Sequence, residues 1–181
     1  MLRGEIMKFL KDNTIVDINE AKPVDAEELL ELFKKIGSES TYLIMDHHGL
    51  DLTVEEEKDY LQKANDSKTT KYFVARVDGK IVGDCGIKGH KSPKTKHNVD
   101  LGISILKEYW NKGLGTLLME HTINYARITG LIKNIFLEVR EDNDFAIKLY
   151  EKMGFKKVGV MPDKIYLEGK YYDEIIYLLQ I

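Results

Sequence analysis

Cysteine is nearly absent from this chain: Cys85 is the only one in 181 residues. A single thiol excludes an intramolecular disulfide framework and fits a reducing compartment. Gly83 and Gly86 flank it, which points to an inert thiol packed in a strand rather than a nucleophile. Proline is also scarce, limited to Pro23, Pro93 and Pro162, and no linker, repeat or low-complexity tract stands out. No apolar run approaches the roughly 20 residues that cross a bilayer. The start, Met1-Leu2-Arg3-Gly4-Glu5-Ile6-Met7-Lys8, is too charged for a signal peptide, so a cytoplasmic protein with no membrane partner is expected. An excess of positive charge is missing as well. With 27 Lys and Arg against 30 Asp and Glu, the net charge of -3 carries no basic footprint for nucleic acid.

What is present suits one globular domain over residues 1–181. Hydrophobic content of 43% and charged content of 31% are ordinary for such a chain. Residues 5–20 read as two short strands turning at Lys11-Asp12-Asn13, so residues 1–14 form an N-terminal extension or hairpin. Asp25 is expected to cap a helix through Ile36, with Ala26, Leu29, Leu30 and Phe33 at helical spacing. Thr53 opens a second helix, with Glu56 at the capping-box position. The period then changes. Tyr72 to Val77 is a strand, Asp78-Gly79 a hairpin turn, and Ile81-Val82-Gly83 begins the return strand. After a polar loop from His90 to His97 come a strand from Val99 to Leu106 and a helix from Gly113 to about Thr129. Ile135 to Val139 and Asn143 to Met153 repeat that strand-to-helix order, and segments 155–160 and 171–179 close the sheet. The fold class is therefore α/β: a mixed, mostly antiparallel sheet with a central parallel strand pair, flanked by helices.

The turn Lys112-Gly113-Leu114-Gly115-Thr116 joins a strand to a helix. Unpaired N–H groups at a helix start attract an anion, and glycines there let a phosphate approach. Neither a Walker loop nor the dinucleotide fingerprint is present, since Leu118 stands where the latter needs its third glycine. Glycines that serve only the helix start are the plain alternative. Against it, Val99, Leu101, Ile103 and Ile105 alternate with Asp100, Gly102 and Ser104, which gives that strand one core face and one polar face. In the second unit, Asn143 and Tyr150 lie two helical turns apart on one face, about 10 Å along the axis. A long ligand arm could run past them, although an isolated tyrosine at such a spacing is usually core.

These two units together resemble the coenzyme A cradle of the GNAT N-acetyltransferase superfamily. Its Gln/Arg-x-x-Gly-x-Gly/Ala turn aligns with Trp110, Gly113 and Gly115, with Trp110 departing from the usual Gln or Arg. A Tyr-Trp pair here resembles the branch acting on protein N-termini and small amines, and the departure removes position 110 from the phosphate-binding side chains. The segment Leu137-x-Val139…Asn143-x-x-Ala146-x-x-Leu149-Tyr150…Gly154-Phe155 matches the family's second unit. The resemblance spans about residues 15–180 and is strongest over 99–155. It implies acetyl-CoA as cosubstrate, held by Ile103, Ser104 and Ile105, by Lys112, Gly113, Leu114, Gly115 and Thr116, and by Asn143 along the pantetheine arm. Tyr150 would then protonate the departing thiolate.

Transfer to an amine, whether on a small molecule or a peptide, also needs a proton acceptor. Asp100, alone or through water, is the first candidate and Glu138 the second; either could equally be a solvated strand residue. Glu39 and Tyr42 are candidates for shaping the acceptor pocket. His47-His48 reads as a solvated loop, with no metal expected, and His121 as a core or edge residue. The lysines of segment 88–96 and the acids of segment 55–59 read as solvated faces. A non-catalytic acyl-CoA-binding module and a nucleotide-phosphate binder remain as alternatives, and the chain could be a monomer or a homodimer.

Overall fold

The structure, a computed structural model, describes residues 8–181. The expected hairpin therefore begins outside the described residues at 5–7, and its remainder forms β1 (Lys8–Phe9) against β2 (Ile15–Glu20). Helix α1 (Ala26–Glu39) buries the expected stripe of Ala26, Leu29, Leu30, Phe33 and Ile36. Asp25 does not cap it, however. Its carboxylate accepts from the Lys22 N–H, closing a short 3-10 turn over Pro23–Asp25, and pairs with Arg76 at 2.7 Å. Helix α2 (Val54–Asp66) starts as the sequence implies: Thr53 Oγ1 accepts from the Glu56 N–H while Glu56 accepts from the Thr53 N–H.

Strands β3 (Lys71–Val77) and β4 (Lys80–Gly89) meet at Asp78 and Gly79, with φ of 49° and 77°. Both residues are left-handed, the turn whose twist suits paired strands. Next come β5 (Asn98–Ile105), α3 (Leu114–Thr129), β6 (Asn134–Arg140) and α4 (Asp144–Lys152). The chain ends in a hairpin of β7 (Lys156–Leu167) and β8 (Lys170–Gln180), so β7 runs past the expected end at Val160. Pro162 and the irregular pairing between Met161 and Ile165 hide that extension from a pattern reading.

The sheet order is β1-β2-β3-β4-β5-β6-β8-β7, and every neighbouring pair is antiparallel except β5–β6. Cross-strand rows identify its two faces. Phe73, Cys85 and Ile103 share a row, and α3 covers it through His121 and Tyr125, whose rings lie 4.6 and 5.6 Å from Phe73. Burial pushes the Cys85 thiol up to about 12, so it stays an unreactive thiol at neutral pH. Tyr72, Gly86 and Gly102 form the adjacent row on the opposite face. There α2 presses Tyr60 against Tyr72, and a Cβ at Gly86 would come within 2.9 Å of the Tyr72 ring. Among the described residues no helix is long and apolar enough to cross a membrane.

Candidate active site

The parallel ladder between β5 and β6 is short. It pairs Asn98 with Asn134, Val99 with Ile135 and Asp100 with Phe136, and then stops. Beyond that point β5 stays with β4 and β6 stays with β8, so the two strands splay. A cleft of about 880 Å³ fills the opening and is lined by Ile103, Ser104 and Ile105 from one edge and Leu137 and Glu138 from the other. Strand edges without a ladder partner keep backbone donors and acceptors for a ligand.

At one end of the cleft lies the glycine turn. The first intrahelical bond of α3 runs from the Leu117 N–H to the Gly113 carbonyl, which leaves the N–H groups of Leu114, Gly115 and Thr116 ahead of it. Gly113 sits at φ 93°, a conformation that disfavours any side chain. Gly115 serves a different need: a Cβ there would come 2.9 Å from a Leu149 methyl, so the missing side chain lets α4 close on α3. Leu114 is fully buried in the core, and only its backbone can serve a ligand. Trp110 donates its Nε1–H to the Ile105 carbonyl at 2.8 Å, fixing the end of β5 rather than offering an anion site. The side chain of Lys112 turns to Asp12 at 3.1 Å. Lys11 replaces it at the cleft: its N–H bonds the Lys112 carbonyl, and its side chain passes 3.7 Å from the Cβ position of Gly113. Lys152 reaches Thr116 Oγ1 at 3.4 Å from the opposite wall. No sequence signal distinguishes Lys11 from a turn residue, because its role depends on a contact spanning the domain.

Helix α4 forms the second wall. Asn143 caps it by accepting from the Ala146 N–H at 3.2 Å, which leaves its amide NH2 group as a donor. Tyr150 lines the cleft, is 7% exposed, and packs its ring against Phe155 and Tyr177 at 6.2 and 6.4 Å. Its hydroxyl makes no hydrogen bond among the described residues, and burial raises it above the ordinary phenol value. The carbonyl and N–H groups of the cleft, its lysines and these two side chains form a donor-rich channel, which fits an anionic, amide-bearing ligand.

The opposite face of the sheet carries acids. Asp100, Glu138 and Glu174 all line the cleft, and the ladder registers put them on one face. The Asp100 side chain is 62% exposed and pairs with His90 at 3.2 Å. Glu174 is buried on β8, and it is pushed above the usual carboxylate range first by burial and then by the adjacent Glu138. Sequence reading missed Glu174, which looks like one polar position among several on a strand. Tyr42 lines the same mouth, with its ring 4.5 Å from the Arg140 guanidinium. Glu39 is engaged elsewhere: its carboxylate accepts from the Lys107 N–H at 2.8 Å and caps the turn that follows β5. Asp46, His47 and His48 lie outside the cleft on an exposed loop, with ligand atoms within 4.8 Å of one another. The two histidine rings sit 3.9 Å apart.

Known proteins share this arrangement. The family model described as Acetyltransferase (GNAT) family matches residues 30–155. An N-alpha-acetyltransferase of Sulfurisphaera tokodaii is 35% identical over 98 residues, 50% of this chain and 59% of that protein. The L-amino acid N-acetyltransferase AaaT of Escherichia coli is 31% identical over 112 residues, 62% of this chain and 69% of that protein. The match thus spans about three fifths of the length of the archaeal enzyme. Over the whole fold, the crystal structure of a GNAT-family acetyltransferase from Streptococcus pneumoniae superposes with a TM-score of 0.90 and 35% identity, covering 92% of this chain and 99% of that one. A splayed parallel pair, a glycine turn opening α3 and a family match that includes both lead to one conclusion: this chain belongs to the GNAT acetyltransferase family.

Proposed function

We propose that the chain transfers an acetyl group from acetyl-CoA directly to a primary amine. The observation that carries this reading is the splay of β5 and β6, open from Asp100 and Phe136 onward, with a helix N-terminus at one end and Tyr150 in its wall. The N–H groups of Leu114, Gly115 and Thr116 suit the pyrophosphate, aided by Lys11 and Lys152. The β5 edge at Ile103, Ser104 and Ile105 and the Asn143 amide suit the amide groups of the pantetheine arm. Bound there, acetyl-CoA supplies an activated thioester whose carbonyl carbon takes the amine.

Two side-chain roles follow. The amine must be neutral to attack, so a carboxylate of the acidic face, Asp100 through water or Glu138, accepts its proton. On the other face Tyr150, protonated at every working pH, donates to the sulfur as the carbon–sulfur bond breaks. Cys85 is sealed in the core, and direct transfer needs no acetyl-cysteine. The names of the two relatives, one for L-amino acids and one for α-amino groups, support an amine as acceptor. The test is thiol release from acetyl-CoA with and without an amine. Amine-dependent release with a matching yield of amide supports the reading; acetyl-CoA binding with no turnover on any amine would leave a binding module instead.

A further inference from the structure

The three acids of the acceptor face are held in different ways. Asp100 is exposed and engaged by His90. Glu174 is only 6% exposed, and its Oε2 is buried with no hydrogen-bond partner among the described residues. Its cross-strand neighbour is Arg140, which would be the natural partner. That guanidinium is already committed: Nε and Nη2 donate to Asp142 and Nη1 donates to the Thr41 carbonyl. The rings of Tyr42 and Tyr172 each lie 4.5 Å from it. What adjoins Glu174 instead is Glu138, carboxylate against carboxylate on the same sheet face, while Lys164 approaches from exposed β7. Two carboxylates in contact either share a proton or need a cation between them. A buried acceptor without a donor, in the wall of an open cleft, marks where a donor from outside belongs.

We infer that the Glu138–Glu174 pair receives the ammonium group of the acceptor, and that this acceptor is a primary amine whose adjacent carbon bears no carboxylate. The inference rests on the acetyl-transfer reading and deepens it to a substrate class. An ammonium supplies both the charge and the N–H donors that the pair lacks. A carboxylate on the same carbon would be brought against Glu138 and Glu174, with Arg140 unable to turn toward it. The ammonium gives one proton to the pair, and the neutral nitrogen then forms the carbon–nitrogen bond as the carbon–sulfur bond breaks. The sulfur takes its proton from Tyr150, whose hydroxyl is restored by the second proton leaving nitrogen. The pair finally releases its proton to solvent, so one proton is lost per acetyl transferred. Because burial beside Glu138 favours the protonated form of Glu174, KM for the amine falls as pH rises through the Glu174 titration.

Steady-state kinetics with alaninamide and with alanine, each referred to the concentration of its ammonium form, test this. Glu174→Gln should raise KM for alaninamide about tenfold or more, as loss of a hydrogen bond to a charged group does, and should remove the pH dependence of KM. KM for acetyl-CoA should change by less than about twofold, since no contact of the pair lies at the glycine turn. Glu138→Gln should act in the same direction, and it decides the matter if circular dichroism shows that Glu174→Gln does not fold. The wild type should favour alaninamide over alanine by about tenfold or more in kcat/KM, because the carboxylate of alanine meets like charge. Unchanged KM in both glutamine variants overturns the proposal. So does a preference for alanine, or a KM rise confined to Asp100→Asn. A wild type that binds acetyl-CoA yet acetylates no amine overturns the acetyl-transfer reading itself.

Discussion

Replacing Tyr150 with phenylalanine separates the chemistry of this cleft from its binding. The ring keeps its packing against Phe155 and Tyr177, and the hydroxyl leaves no protein partner behind, because it has none among the described residues. Folding stability should therefore change by less than about 1 kcal/mol, the usual scale for one hydrogen bond. The magnitude for turnover follows from comparing acids. A thiol titrates near 8.5 and a phenol near 10, and burial moves Tyr150 further up. Full proton transfer to the thiolate is thus uphill, and most of the benefit comes from a hydrogen bond to the charge developing on sulfur. Such charge-assisted bonds are worth about 1.5–3 kcal/mol, or roughly 10- to 150-fold in rate. That range overlaps only the bottom of the hundredfold to ten-thousandfold span of general acids, about as expected for a good leaving group. Thiol release should be followed at saturating acetyl-CoA across pH, beside a titration of acetyl-CoA affinity. A fall in kcat within that range at unchanged affinity supports the assignment. Wild-type kcat in Tyr150→Phe would refute the donor role, and a collapse in affinity would make the hydroxyl a binding group.

Saturation with acetyl-CoA at about 100 times its Kd should add about 2.7 kcal/mol to stability, raising Tm by roughly 5–10 °C for a chain of this size; differential scanning fluorimetry should give no such rise with ATP. Lys11→Ala should weaken acetyl-CoA binding in calorimetry more than Lys112→Ala does, because the Lys112 ammonium is held by Asp12; the reverse order would return the phosphate contact to the glycine turn. Asp84 is sealed against Ser104, and burial raises it to about 7, with the nearby Glu57 adding to the shift. The folded state thus holds a proton that the unfolded chain releases above its ordinary carboxylate value. This contribution is full at low pH and is lost as pH rises through about 7. Asp84→Asn should therefore match the wild type in Tm near pH 4 and exceed it at pH 8, and a pH-independent difference would rule out the buried charge.

Local chemistry made much of this legible from the sequence. Asp78-Gly79 can adopt the left-handed pair that a tight hairpin requires, and Thr53 with Glu56 satisfies a helix start from within one turn. The alternation of Val99 to Ile105 located the central strand, and the position of Gly113 located the start of the helix at one end of the cleft. What stayed hidden depends on contacts between distant segments. Lys112 looked like the phosphate cation, yet Asp12 claims it and Lys11 takes its position. Asp25 looked like a cap, but a proline-led 3-10 turn and Arg76 hold it. Gly115 looked open to a phosphate, whereas Leu149 of the next helix fills that space. Glu39 was expected to shape the acceptor pocket and instead caps the turn after β5. Glu174 could not be singled out at all, because its isolation depends on where the Arg140 guanidinium turns.

Acetyl transfer from acetyl-CoA to alaninamide tests the central claim most directly, with free thiol measured by a chromogenic reagent and N-acetylalaninamide by mass spectrometry in the same samples. The account expects thiol release that depends on the amine, one amide formed per thiol, and loss of most of both signals in Tyr150→Phe. Thiol release independent of amine, or none with alaninamide or any other amine while acetyl-CoA binds with full affinity, would contradict it.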